Sequence, residues 1–178
     1  DIESRSVMLN IIRNKIIRIL KALGASGITK IVLIIILLVF MTLVYASSNA
    51  KNISLETFEE TLKSKSNMAG MKKCTNRQLM QFMNLDYNSY DSFLYYRSKD
   101  AMSADELLII KAYKKNDIPL VEDAVDARIA GRIKTFEGYA PNQVNLLNNA
   151  VIYKKGRYLF YAVGKNADSC QEVFEDAV

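Results

Sequence analysis

The side chains here that chemistry could use are carboxylates beside a strand, an aromatic and amide cluster, and two cysteines. Asp105 and Glu106 precede the apolar run LLIIKAY, and with Asp100 they could offer oxygens to a cation or serve acid–base work. Adjacent residues on an extended chain point to opposite faces, so the two do not form a matched pair by themselves, and a structural place at the strand edge is the competing reading. Tyr139, Pro141, Asn142 and Gln143, close to Phe136, make a possible binding surface. They combine an aromatic face with amide donors for a peptide, a glycan or a partner helix. The same residues suit a helix stop, with Gly138 ending one helix and Pro141 opening the next. Cys74 and Cys170 are the only cysteines. A disulfide between them would be worth up to about 4 to 5 kcal/mol on the entropy account, yet each falls at or near an apolar helix position, where a free thiol also fits. Lys154, Lys155 and Arg157 gather at a turn, either facing an anionic polymer or simply solvated.

Histidine is absent, which removes the commonest general base, the Ser-His and Cys-His pairs and His-containing metal sites. There is no glycine-rich phosphate loop, no C-x-x-C and no G-x-S-x-G. These gaps point away from an enzyme and imply no cofactor and no metal; an enzyme using carboxylate or tyrosine chemistry is the rival. Net charge is +5, but Arg5, Arg13, Lys15, Arg18, Lys21 and Lys30 against Asp1 and Glu3 put +4 of it before residue 31. A nucleic-acid binder carries its excess charge on the folded domain, so no nucleic-acid partner is expected.

The elements that position these groups begin with Ile31 to Ala46, IVLIIILLVFMTLVYA, an uncharged run that with its flanks approaches the ~20 residues a membrane-crossing helix needs. The basic residues before it fit a cytoplasmic N-terminus and an extracytoplasmic C-terminal domain in the cell envelope. The organisation expected is a cytoplasmic basic amphipathic segment over 1–29, a transmembrane helix or uncleaved signal anchor over 30–48, and an extracytoplasmic domain over 49–178. The lipid bilayer is then a partner through Ile31 to Ala46. In the first segment Leu9, Ile12, Ile16, Ile19, Leu20 and Leu23 face one side of a helix and cations the other. Val44-Tyr45-Ala46 also resembles a signal-peptidase site, so a secreted domain cut after Ala46 stays open.

In the domain, helices are expected after Ser54, after Thr75 or Asn76, and from Asp117 to Gly138 on the stripe Ile118, Val121, Val125, Ile129, Ile133 and Phe136. A short helix around Gln143 to Leu147 and a last one carrying Cys170, Val173 and Phe174 complete the set. Strands are expected at Ser92 to Arg97, Leu107 to Tyr113, Ala150 to Lys154 and Arg157 to Val163, the last two joined by a turn at Lys155-Gly156. Two hairpins without regular strand–helix alternation predict an α+β fold with an antiparallel four-stranded sheet packed on helices.

From Met102 onward the chain resembles the domain of unknown function 4358 family. The resemblance rests on the acidic pair Asp105 and Glu106 before an apolar strand, the F-x-x-Y-x-P turn of Phe136, Tyr139 and Pro141, the alanine-led strand at Asn149 and Ala150, and the G-x-Y start at Gly156 and Tyr158. It implies a small anchored or lipoprotein-like envelope protein of clostridial and related bacteria, and it brings no activity. No lipobox cysteine is present, so the span itself would be the anchor. The function expected is a single-pass membrane protein presenting a binding or accessory domain, with a membrane or envelope protein as its partner.

Overall fold

The computed structural model describes Asn14, Gly27, residues 29–45 and residues 50–178. The chain falls into two compact units, 1–47 and 48–178. In the first, residues 29–45 are helical and apolar side chains such as Leu33, Ile36 and Phe40 are exposed. Among the described residues no helix is long and apolar enough to cross a membrane. The stretch stops short of the ~20 residues a crossing needs. The end of the expected span, 46–48, lies outside the described residues, as does nearly all of the expected amphipathic helix over 1–29.

The second unit is mixed α+β. It runs α1 (Leu55–Lys65), β1 (Met71–Lys73), α2 (Asn76–Met83), β2 (Tyr90–Ser98), β3 (Glu106–Ala112), α3 (Ile118–Phe136), α4 (Pro141–Asn148), β4 (Val151–Lys155), β5 (Tyr158–Val163) and α5 (Ala167–Ala177). The strands form one sheet in the order β1-β2-β3-β5-β4, every neighbour antiparallel. Five strands stand where four were expected. The additional one, Met-Lys-Lys, has no β-branched residue and no usable alternation. It is a strand because Met71, Lys72 and Lys73 pair with Ser98, Arg97 and Tyr96, an edge contact invisible to local sequence.

Local chemistry accounts for most boundaries. Thr75 accepts from the Gln78 N–H while the Gln78 side chain accepts from the Thr75 N–H, a reciprocal cap that starts α2. Pro119 and Pro141 sit in the first turns of α3 and α4, where a missing N–H costs no helical bond. Lys155 pairs with Tyr158, so the hairpin loop is Gly156-Arg157, one residue later than expected, and the positive φ of 59° falls on the glycine.

β3 lies between β2 and β5 and is buried on both faces, which is why it reads as an unbroken apolar run. Side chains alternate to either side. Tyr95, Leu108, Ile110, Leu159 and Tyr161 pack with α2, α3 and α4, while Leu94, Tyr96, Leu107, Ile109 and Phe160 pack with α1 and α5. Phe174 of α5 centres the second layer, 5.3 Å from the Phe160 ring and 5.6 Å from Phe58.

Candidate functional site

Glu106 begins β3 with its side chain turned to the α3 face and only 1% exposed. Arg128, from the middle of α3, grips it: Nε donates to both carboxylate oxygens at 3.1 and 3.3 Å and Nη2 donates to Oε1 at 3.1 Å. Arg97 of β2 pairs with the same carboxylate at 3.4 Å, Tyr95 donates its hydroxyl to Oε1, and Tyr161 donates to Oε2 at 3.4 Å. Burial pushes both phenols above their usual range, and the neighbouring Glu106 charge adds to it. Burial works against the Arg128 cation, but the attraction of Glu106 outweighs it and holds the guanidinium protonated. Each carboxylate oxygen is bonded more than once, so the arrangement acts as a clamp between sheet and helix rather than a free base.

Asp105 points the other way, as alternation requires. It lies on a cleft of about 420 Å³ at this end of the sheet, between the segment 67–71, the start of β3, the end of β5, and α4 and the start of α5. Asn67, Gln143 and Asn166 bring amides, and Met68, Leu107, Leu146 and Ala162 bring apolar surface. Gly164 is needed here. Its φ is 135°, and a Cβ on it would stand 2.7 Å from Asp105 Oδ1. The half-buried Asp105 carboxylate has no hydrogen bond or ion pair among the described residues, although its own N–H is held by Ser103 Oγ at 3.1 Å. Gln143 Oε1 accepts from the Ala104 N–H at 2.7 Å, which ties α4 to the segment before β3.

Of the four residues expected to form a surface, Gln143 alone lines this cleft. Tyr139 is 55% exposed with its ring 5.8 Å from buried Phe136, and Pro141 and Asn142 open α4. Cys74 and Cys170 are free and buried, in the separate core layers on opposite faces of the sheet. Burial pushes both thiols up, away from reactivity. At the hairpin, Lys154 pairs with Glu122 at 2.5 Å and Arg157 donates to the Ala112 and Tyr113 carbonyls at 3.3 Å, so these cations are engaged within the domain. No group of three acidic or cysteine side chains that could hold a metal occurs among the described residues.

Sequence reasoning missed Arg97, Arg128, Arg132, Glu59 and Gly164. Arg128 and Arg132 are spaced i, i+4 on the longest helix, which was a usable signal that they share a face. Nothing local marked Gly164 as a partner of Asp105.

The model of a protein family described as Domain of unknown function (DUF4358) matches residues 63–164, from within α1 through all five strands. No curated protein and no solved structure matches the chain.

Proposed function

Because the chain belongs to the DUF4358 family of domains of unknown function, no activity comes with membership, and we propose that its folded unit is an extracytoplasmic binding module whose ligand site is the Asp105 cleft. The observation that carries this is a half-buried carboxylate, unpartnered among the described residues, beside amide groups in a cleft of about 420 Å³, within the size range of small-ligand sites. Asp105 calls for N–H or O–H donors, so the ligand class is a peptide or glycan fragment bearing an ammonium or hydroxyl group. Glu106, Tyr95 and Tyr161, the groups a carboxylate–tyrosine enzyme would draw on, are spent on one another and on Arg128, which favours binding over turnover.

The proposed setting is the cell envelope, with 30–48 as a membrane anchor and the N-terminus cytoplasmic. The uncharged run Ile31 to Ala46, the cations that precede it and the exposed apolar side chains of 29–45 support it. Melting the full chain against soluble wall peptides and glycans tests the site. Saturating ligand at about 100 Kd adds about 2.7 kcal/mol, a shift of several degrees, and Asp105→Asn removes most of it. No shift with any fragment, or an equal shift in the variant, overturns the assignment. Both native cysteines are buried, so a membrane-impermeant thiol reagent on intact cells reads out Lys99→Cys selectively. Labelling only after lysis places the domain inside.

A further inference from the structure

Three guanidinium groups meet on the α3 face near Phe82 and Phe136. Arg97 lies 3.8 Å from the Phe82 ring centroid, Arg128 lies 5.4 Å from the same ring, and Arg132 lies 4.6 Å from the Phe136 ring. Among the described residues Glu106 is the only carboxylate bonded to any of them. Among the described residues, three positive charges against one negative leave two unmatched. The cluster is also substantially withdrawn from water, with the Arg97 and Arg128 side chains 20% and 14% exposed. Withdrawn charge without a counter-charge is costly, and natural structures pair it.

Arg132 shows the deficit most clearly. Its Nη2 donates to the Ser103 carbonyl at 2.7 Å, but its Nε is shielded from solvent and bonds nothing. Burial weakens its protonation, and the neighbouring Arg128 charge presses the same way. Arg128 and Arg132 line one wall of a cleft of about 380 Å³ between α3 and the end of α2, with Phe82, Met83 and Asn84 opposite. The cleft is open at Gly131, where a Cβ would meet nothing within 4 Å.

We propose that this cleft is an anion site, in which Arg128 and Arg132 receive a phosphate group. Arg128 Nε and Nη2 hold Glu106 and Arg132 Nη2 holds the Ser103 carbonyl, so the phosphate oxygens are met by the remaining N–H groups of the two guanidiniums, Nη1 of each among them. A phosphate monoester carries about −1.5 to −2 at neutral pH, which matches the two unmatched cations, whereas a lone carboxylate meets only one. Phe82, 5.4 Å from the Arg128 guanidinium, and Phe136, 4.6 Å from that of Arg132, restrict both side chains, leaving fewer rotamers to freeze on binding. The site is separate from the Asp105 cleft and does not depend on it.

The test is calorimetric titration of the full chain with inorganic phosphate, in chloride of matched ionic strength, with glycerol phosphate as a second titrant. Wild type is expected to bind saturably, and tighter binding of glycerol phosphate would assign an esterified source over the free ion. Arg132→Gln is expected to weaken binding about tenfold or more. Gly131→Leu should do the same by filling the cleft. It replaces an exposed helical glycine by a better helix former, so it reports on the site even if Arg132→Gln folds poorly. Heats that do not saturate in wild type, or wild-type affinity in a folded variant of either kind, overturn the proposal.

Discussion

Two buried glutamates occupy opposite faces of the same sheet, and adjacent tyrosines of β2 serve them: Tyr95 donates to Glu106 on the α3 side and Tyr96 donates to Glu59 on the α1 side. Around Glu106 the cations are arginines, one of them forked, and the carboxylate is almost wholly sealed. Around Glu59 they are Lys63, at 2.6 Å, and Lys73, whose side chains are 52% and 55% exposed. The difference is one of dielectric and geometry. Arginine keeps its charge when buried and fixes direction through its fork, so the Glu106 cluster locks β2, β3, β5 and α3 together. Both lysine side chains stay half in water, so the Glu59 cluster is a seam between α1 and the β1 edge that solvent can screen.

The largest expected effect comes from breaking the sealed cluster. Glu106→Gln leaves Arg128 and Arg97, both largely withdrawn from water, without a counter-charge, and should cost about 3 to 5 kcal/mol in urea unfolding of the full chain. A loss under about 1 kcal/mol would show that the two faces are energetically alike.

A middle-sized effect belongs to Glu59. Burial alone would raise its pKa, but hydrogen bonds from Lys63, Lys73 and Tyr96 take it from the ordinary 4.5 down to about 2. The folded value lies below the unfolded one, so this stabilisation is fully present above about 4.5 and is lost as pH falls toward about 2. With half-exposed lysine partners, about 1 to 2 kcal/mol should disappear across that window. Subtracting the profile of Glu59→Gln isolates it, and parallel profiles for wild type and variant would remove Glu59 from the account.

The smallest effect is that of Lys73→Met. Glu59 keeps Lys63 and Tyr96, and the lost pair is half solvated, so unfolding should change by about 0.5 kcal/mol or less, and less again at high salt. A change several times larger would mean that β1 depends on this ion pair for its place at the edge.

Legibility follows the same divide between local and distant. α2 was readable because Thr75 and Gln78 cap each other three residues apart, and α3 because Ile118, Val121 and Val125 repeat within one helix. The opposed directions of Asp105 and Glu106 followed from strand alternation alone. β1 was not readable, since its pairing partner lies at 96–98. Nor was the arginine cluster, whose members come from β2 and α3 and meet only when the helix packs on the sheet.

By itself the sequence determined the helices of the second unit, its four longer strands, the mixed class and the family, because caps, turns and apolar periodicity act within a few residues. Only the tertiary structure decided the fifth strand, the separation of Cys74 from Cys170, the neighbours of Glu59 and Glu106, and the Asp105 cleft, where Gly164 leaves room for the carboxylate. Each joins residues distant in the chain, and which distant groups share a buried space depends on how whole elements pack.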